Sequence, residues 1–270
     1  MHPTLLQFGD FRLATYGALV AAAYLAGILW LRSQMGRMNL DEDAFWRLVY
    51  YLFFGAFAGG KLLYVLVEWR AFASGELHLL RDIRYGFVFF GGLLGAMAMG
   101  ALYVRGAGAS YLRLADPFAA ALPMGHAIGR LGCLAAGCCY GRPTGLPWGV
   151  RFTDPLCLVE PGLRGLDLHP TQLYEAVGCA AVAAALLRLL RRVQAGELRE
   201  GTVLFAYMLA YSVLRFGIEF LRGDDRGGFL WGMSPSQWLG LAVAASAAAA
   251  IRLRGLRAGG PGGALSGPAS

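Results

Sequence analysis

Seven long apolar segments, separated by short polar stretches, organise this chain. They cover residues 16–31, 48–67, 86–104, 114–136, 172–190, 202–221 and 238–251, and the last extends back to Pro235. A helix needs roughly 20 mainly apolar residues to cross a bilayer. The pattern therefore predicts an all-α integral membrane protein of about seven transmembrane helices.

The polar stretches predict the remaining organisation. Residues 141–168 are rich in Pro, Gly and charge, which indicates a small arm outside the hydrocarbon layer. Residues 257–270 are rich in Gly, Ala, Pro and Ser, a composition typical of disorder. The N-terminus has no basic region and no small-residue cleavage site, so we expect the first span to be retained. We predict one transmembrane domain over residues 1–256 and a disordered tail after it.

Composition and charge narrow the function class. Only 15% of the residues are charged, against roughly 25% in soluble domains. The net charge of +7 comes from basic residues at the span ends, which favours lipid headgroups over nucleic acid as the anionic partner. Arginines are more numerous in one set of alternate loops, with a cluster at residues 188–199. This bias places the N-terminus and the arm outside and the C-terminus inside.

Arg130 stands out because it interrupts the fourth apolar segment, with His126 one helical turn before it. A charged side chain at a bilayer centre costs about 2.5–3.5 kcal/mol on insertion scales. A guanidinium presents a planar fork of donors that suits phosphate oxygens. Arg130 is therefore a candidate phosphate clamp; the alternatives are that it reaches the interface or pairs with a buried carboxylate.

A second polar cluster occupies the sixth segment, within YSVLRFGIEFLRGDD. Tyr211, Arg215, Glu219 and Arg222 follow one another at spacings of four, four and three, which predicts one polar stripe on a helix. Such a stripe on an apolar helix indicates the lining of a cavity. The alternative is an Arg215–Glu219 ion pair that only neutralises itself.

Polar residues also mark the start of the fifth segment, in LHPTQLYEA. His169, just before Pro170, is either a helix-start residue at the interface or a catalytic, substrate-contacting one. Gln172, Tyr174 and Glu175 add polar groups at the mouth of this span.

Three cysteines, Cys133, Cys138 and Cys139, follow Arg130. With His126 they raise the question of a metal, but the C-x4-C-C spacing lacks the second half of a zinc motif. Adjacent cysteines also seldom bind one tetrahedral ion. Apolar packing is the commoner role of buried cysteines, so no metal site is predicted. A nearby arginine would lower the pKa of any of these thiols, and we note them as possible reactive groups.

Several motifs, taken in order, resemble the prolipoprotein diacylglyceryl transferase family. They are FGDFRLATYG at residue 8, GGLLG at 91, GRLGCLAAGCCYGRPTG at 129, HPTQLYE at 169, YSVLRFGIEFLRGDD at 211 and SPSQ at 234. The resemblance implies a seven-span fold with a lipid cavity that opens to the membrane and the outer face. It also implies transfer of diacylglyceryl from phosphatidylglycerol to the thiol of a lipobox cysteine in a prolipoprotein.

The same resemblance implies roles for particular residues. Arg130 matches the signature arginine that holds the lipid phosphate, and Arg215 matches the second essential arginine. Tyr211 and Glu219 accompany Arg215, and Gly141 closes the signature. Substrate contacts are expected to extend to the matching positions Tyr16, Gly91 and Gly92, although helix packing alone would also explain the two glycines.

The chain departs from the family pattern at three positions. Phe90 stands where the family has a histidine, Cys133 where it has Asn, and Cys138 where it has Glu. That histidine is the usual candidate for taking the proton from the incoming thiol, and phenylalanine cannot do so. The replacement is His126, which shares a helix face with Arg130, or His169, or else the substrate thiol arrives already ionised.

These observations leave three hypotheses. The first is a diacylglyceryl transferase of the bacterial inner (cytoplasmic) membrane that uses no cofactor. The second is a relative that uses Cys138 or Cys139 for covalent or redox chemistry on another lipid or thiol. The third is a phospholipid-binding membrane protein without turnover.

Overall fold

The computed structural model describes residues 2–9, 11–78, 86–224, 228 and 230–256; the predicted disordered tail, 257–270, lies outside them. Eight α-helices occur within these ranges. They are α1 (Thr15–Ser33), α2 (Glu42–Val67), α3 (Trp69–Ala73), α4 (Phe89–Ala107), α5 (Tyr111–Ala136), α6 (Thr171–Gln194), α7 (Thr202–Glu219) and α8 (Pro235–Arg254).

All of these helices except the short α3 are long and apolar enough to cross a membrane. The prediction of a multi-pass, mainly helical membrane protein is confirmed. The predicted and observed bounds differ by two or more residues at most helix ends; α6, for example, continues to Gln194, whereas the predicted segment ended at residue 190. Two of these differences have a clear cause or consequence. The α2 helix begins at Glu42 because the Asp41 side chain accepts a hydrogen bond from the Ala44 N–H and caps it. The α7 helix ends at Glu219, so Arg222 lies beyond the helix on which it was predicted.

A β-hairpin at the N-terminus is an element that the apolar pattern did not predict. Strands β1 (Thr4–Phe8) and β2 (Phe11–Ala14) pair antiparallel immediately before α1. The Thr15 hydroxyl donates a 2.5 Å hydrogen bond to the His2 carbonyl and ties the hairpin to the first turn of α1.

The described chain forms two compact units. The first, called the main unit, comprises the described residues within 1–31 and 115–256; the second, called the α2–α4 unit, comprises the described residues within 32–114. Within the α2–α4 unit, Gly55 and Gly59 of α2 lie directly against Gly91 and Gly95 of α4. An added Cβ at any of the four would meet the other helix, so these glycines allow the close helix approach common in membranes.

In the main unit, α6 packs against α7 and α7 packs against α8. A core cluster joins α5, α6 and α7 through Ala119, Ala120, Leu186, Leu190 and Val203. Buried Asp116 of α5 accepts hydrogen bonds from the N–H groups of Gly201 (2.7 Å) and Leu204 (2.9 Å) at the start of α7. A side chain of one helix therefore caps the N-terminus of another.

The predicted arm, residues 141–168, folds around its own small core. That core consists of Tyr140, Phe152, Cys157, Val159 and Leu168. Leu168 forms isolated β-bridges with both Pro143 and Val150, which closes the arm at its base. At the surface, Arg151 makes two 2.7 Å hydrogen bonds to Asp167.

Candidate active site

Three polar side chains from helices α5 and α7 of the main unit converge on one buried carboxylate of α6. Arg130 Nη2 of α5 donates to Glu175 Oε1 of α6 at 2.9 Å. The Tyr211 hydroxyl of α7 donates to the same oxygen at 3.1 Å. Glu175 is only 1% exposed. Arg130 therefore pairs with a buried carboxylate, which was one of the alternative interpretations of its position in the sequence.

His126 completes this group, as its helical spacing from Arg130 predicted. Arg130 Nε donates to His126 Nε2 at 3.1 Å, and the same nitrogen lies 3.6 Å from Glu175 Oε1. An arginine can only donate, so Nε2 is the acceptor of a neutral ring whose proton lies on Nδ1. While this hydrogen bond holds, Nε2 is not available to take a thiol proton. The role of His126 as a base stays a prediction.

The ion pair does not use all the polar atoms of this group. Arg130 Nη1 has a long 3.9 Å contact with Cys133 Sγ. The second carboxylate oxygen of Glu175 is buried and has no hydrogen-bond partner among the described residues. Buried polar atoms are normally paired, so the unpaired Glu175 oxygen indicates a place where a hydrogen-bond donor of a ligand can bind.

A second buried ion pair forms around Arg215. Arg215 Nη2 lies 2.5 Å from Glu219 Oε2, at i,i+4 spacing on one helix. This is the ion pair that the sequence analysis gave as the alternative to a cavity lining. Ser236 of α8 donates a 2.8 Å hydrogen bond to Glu219 Oε1. Arg215 Nη1 is buried and, within the described part of the chain, has no hydrogen-bond partner. This arginine also keeps a donor beyond its carboxylate pair.

Arg222 does not extend the Arg215 stripe, contrary to the prediction. The chain leaves the helix after Glu219, and Arg222 instead binds Asp224 through two hydrogen bonds of 2.7 and 2.5 Å. Its backbone forms a β-bridge with Gly141.

Gly141 lies where three segments meet. Its N–H donates to the His169 carbonyl at 3.0 Å, and the Arg142 N–H donates to the Leu221 carbonyl at 2.9 Å. A Cβ at Gly141 would come within 2.5 Å of the His169 Cβ and 2.8 Å of the Leu221 oxygen. The backbones approach so closely that only glycine fits, which gives this signature residue a structural role.

His169 occupies the junction of the arm and α6. Its Nδ1 lies 3.4 Å from the Tyr174 hydroxyl, which accepts a 2.7 Å hydrogen bond from the Trp148 indole. The ring thus contacts Tyr174 of α6, which in turn contacts Trp148 of the arm, in keeping with the helix-start interpretation. A catalytic role for His169 stays a prediction.

The three cysteines lie together at the end of α5. The sulfur atoms of Cys133, Cys138 and Cys139 are all within 4.8 Å of one another, and all three are free thiols. Hydrogen bonds with Cys133 and Cys138, followed by the charges of Arg222 and Arg130, lower the pKa of the Cys139 thiol.

The remaining predicted substrate contacts divide between the two units. Tyr16 of α1 packs against Gly132 of α5. A Cβ added to Gly132 would lie 3.2 Å from the Tyr16 ring. Gly91 and Gly92 belong to the α2–α4 unit with Phe90, and the helix-packing interpretation accounts for Gly91. Roles of Tyr16, Gly91 and Gly92 in substrate binding stay predictions.

Sequence reasoning underrated several residues. Glu175 is the acceptor at the centre of the Arg130 group, although the sequence pattern indicates only a polar group at a span mouth. Ser236 and Thr171 were missed. Thr171 and Gln172 hold the carbonyls of Cys139 and Cys138 at 2.7 and 2.8 Å. The available signal was their position in the first turn of an apolar helix, where polar residues are common and therefore weak indicators.

Comparison with known proteins supplies the family. The family model for prolipoprotein diacylglyceryl transferase matches residues 3–253. The chain is 32% identical to the phosphatidylglycerol–prolipoprotein diacylglyceryl transferase of Clostridium tetani, over 89% of this chain and 93% of that protein. It is 36% identical to the enzyme of that name from Gloeobacter violaceus, over 83% and 82% of the two chains. A match of this extent, which covers every motif around Arg130 and Arg215, shows that the chain belongs to the prolipoprotein diacylglyceryl transferase family.

Proposed function

We propose that this protein transfers the diacylglyceryl group of phosphatidylglycerol to the cysteine thiol of a prolipoprotein. The observation that carries the proposal is that Arg130 and Arg215, both in family motifs, keep N–H donors beyond their carboxylate pairs. Relatives across the family bear the name of this activity.

The chemistry requires a site that stabilises a leaving phosphate. The thiolate sulfur attacks the glycerol carbon that carries the phosphate ester, and a carbon–sulfur bond forms as the carbon–oxygen bond breaks. The electron pair of the broken bond stays on the phosphate, which leaves as glycerol phosphate. Positively charged donors at the phosphate stabilise the charge that develops in the transition state. Arg130 and Arg215 are the proposed donors, with Tyr16, Gly141 and Tyr211 as further substrate contacts.

Glu175 and Glu219 have a complementary role in this proposal. A buried arginine without a counter-charge is strongly unfavourable, so each carboxylate holds its arginine in place before the lipid binds. The lipid phosphate then binds to the donors that the carboxylates leave free, Nη1 of Arg130 and Nη1 of Arg215.

The fate of the thiol proton separates three versions of the mechanism. The proton is taken by His126 or by His169, since an imidazole titrates near neutral pH, or the thiol has already lost it before it reaches the site. A pH–rate profile of His126→Gln and His169→Gln against the parent distinguishes them. Loss of the acidic limb in one variant, with lipid binding intact, identifies that histidine. If both variants keep the pH–rate profile of the parent, neither histidine is the base.

The protein spans a membrane several times, and we place it in the bacterial inner membrane with the arm on the outer face. Support comes from the seven apolar helices and from the loop arginines. An outer-face site meets exported prolipoproteins as they emerge, with phosphatidylglycerol available in the same leaflet.

The direct test is reconstitution. Purified protein, phosphatidylglycerol vesicles and a lipobox peptide should yield a peptide whose mass rises by one diacylglyceryl group, while the same peptide with serine in place of cysteine should not react. Absence of product with phosphatidylglycerol and with other anionic phospholipids would exclude the activity. Lipid that co-purifies with the protein without turnover would then favour the binding-protein hypothesis.

A further inference from the structure

The thiol cluster of Cys133, Cys138 and Cys139 has a geometry that the C-x4-C-C spacing does not predict. All three sulfurs lie within 4.8 Å of one another. Zinc–sulfur bonds of about 2.3 Å at tetrahedral angles place three sulfurs about 3.8 Å apart. Small side-chain rotations would therefore close the cluster around one ion.

The backbone is shaped to present two adjacent cysteines to the same point. Cys139 adopts φ +61°, a left-handed conformation that is rare outside glycine, and Gly137 adopts φ +76°. Hydrogen bonds from Thr171 to the Cys139 carbonyl and from Gln172 to the Cys138 carbonyl hold this turn. A strained backbone that the surroundings hold this firmly is typical of functional sites.

The charge around the cluster also suits a thiolate-bound cation. Three thiolates and a divalent ion carry a net charge of −1, and two arginines lie beside them. Arg130 Nη1 is 3.9 Å from Cys133 Sγ, and Arg222 contacts Cys139. Cys133 is buried, whereas Cys138 and Cys139 are partly exposed. The cluster thus has three thiol ligands and an accessible side.

We propose that Cys133, Cys138 and Cys139 bind a Zn²⁺ ion whose fourth position takes the thiolate of the incoming prolipoprotein cysteine. The proposal rests on the transferase function above and extends it. A catalytic zinc site commonly has three protein ligands and one open position. A thiol that coordinates zinc loses its proton outright, so no histidine is needed where Phe90 stands. The cysteines that replace the family's Asn and Glu thereby supply what the missing histidine would have done.

The position beside Arg130 gives the ion a direct part in the transfer step. The substrate thiol releases its proton to solvent on binding zinc, and its sulfur attacks the glycerol carbon of the lipid whose phosphate Arg130 holds. The carbon–sulfur bond forms, the carbon–oxygen bond to phosphate breaks, and glycerol phosphate departs with the electron pair. The product sulfur is a neutral thioether, a weaker ligand than a thiolate, so the lipidated product leaves the ion. No redox partner is required.

Metal content of the full-length protein tests the site without any assay of activity. Parent protein purified in detergent with Zn²⁺ and then dialysed should retain about one zinc per chain. Cys133→Ser, Cys138→Ser and Cys139→Ser should each lower the retained zinc by about tenfold or more, since even outer-shell changes cost that much. Cys157→Ser and Cys179→Ser, which alter cysteines outside the cluster, should retain it. Zinc retained equally in all five variants would overturn the proposal.

Cobalt substitution provides a test on the parent protein alone, which does not depend on whether the serine variants fold. Parent protein loaded with Co²⁺ should show sulfur-to-cobalt charge-transfer absorption and the intense visible bands of a tetrahedral ion. A lipobox peptide should increase the charge-transfer absorption by about one third as a fourth thiolate joins three, and the serine peptide should not. Absence of the charge-transfer bands, or a disulfide among these cysteines in freshly reduced protein, would overturn the proposal.

The same preparations separate this inference from the transferase function. Removal of zinc with a chelator should abolish lipidation of the peptide, and added Zn²⁺ should restore it. Full transfer by zinc-free protein, or by a triple Cys→Ala variant, would overturn the zinc proposal and leave the transferase function standing. Peptide-sensitive cobalt bands without any lipid transfer would support the thiolate site and reject the transferase function.

Discussion

At the scale of single residues, the main feature of this protein is that two arginines are largely, though not fully, buried among apolar helices. Each is accommodated by a carboxylate: Glu175 for Arg130 and Glu219 for Arg215. Removal of one partner from a buried ion pair leaves the other charge uncompensated and costs about 3–5 kcal/mol. Neither pair uses every donor of its arginine, and the remaining donors are the ones that we propose bind the lipid phosphate.

Arg130→Lys tests whether the shape of the guanidinium matters as well as its charge. Lysine keeps the positive charge but loses the fork that contacts His126, Glu175 and a phosphate together. We expect the turnover number for peptide lipidation to fall roughly 100- to 1,000-fold, the usual effect of losing a transition-state donor. The control is Arg151→Lys, an exposed arm residue paired with Asp167, which should keep parent activity. Equal activity of Arg130→Lys and the parent would contradict the phosphate-clamp role.

Glu175→Gln tests the buried ion pair. The amide oxygen can still accept from Tyr211, but Arg130 loses its counter-charge. We expect the free energy of unfolding to fall by about 3–5 kcal/mol, measured by denaturant titration in detergent. Phosphatidylglycerol should stabilise the variant more than the parent, because the lipid phosphate replaces the missing anion. Exposed Glu160→Gln is the control, and an unchanged Glu175→Gln stability without lipid would refute the coupling.

At the scale of elements, the connections between helices position the site as much as the helices do. The turn after α5 is held by the first residues of α6 and by the segment after α7. Gly141 lies at the crossing of these segments, and the thiol cluster lies just before it. Since β-bridges and single hydrogen bonds hold this crossing, it tolerates little added volume.

Gly141→Ala tests this crossing. The added methyl group meets the His169 Cβ and the Leu221 carbonyl, both parts of fixed backbone segments. We expect a loss of about 1–3 kcal/mol of unfolding free energy, the usual cost of overpacking. Gly145→Ala is a matched control, since nothing lies within 4 Å of its Cβ position. Equal thermal stability of the two variants would show that the crossing can relax.

Asp116→Ala tests the cap that joins α5 to α7. Its carboxylate accepts from Gly201 and Leu204, and its loss leaves one buried and one partly buried N–H group without this acceptor. At about 1–3 kcal/mol for each unsatisfied donor, we expect a loss of about 2–6 kcal/mol. Asp41→Ala, which removes the exposed cap of α2, should cost only about 1 kcal/mol. A smaller effect at Asp116 than at Asp41 would contradict this interpretation.

At the scale of the whole molecule, the orientation in the membrane is a prediction from the loop arginines. With the N-terminus and the arm outside, a green fluorescent protein fused after Arg254 should fluoresce, because it folds in the cytoplasm. Alkaline phosphatase at the same position should be inactive, because it needs the oxidising exterior. Fusions within the arm, for example after Gly162, should give the opposite pair of results. Reversed signals at both positions would invert the assignment.

The sequence by itself determined the class of fold and the position of most helices. Spans of this length and hydropathy have one stable form in a bilayer, because backbone groups must be satisfied within each segment. The motifs carried the family, and the helical spacing of His126 and Arg130 indicated their contact. The spacing of four residues also indicated the Arg215–Glu219 ion pair as one alternative, because both residues lie on one helix.

Only the tertiary structure decided which partners meet from different elements. Glu175 became the centre of the site because α6 and α7 bring it and Tyr211 to Arg130. The three sulfurs converge because Cys139 turns with a positive φ that α6 stabilises. The departure of Arg222 from its predicted helix stripe depends on a β-bridge to Gly141. Contacts between residues distant in sequence depend on how helices pack, and hydropathy and spacing along one segment carry no information about that packing.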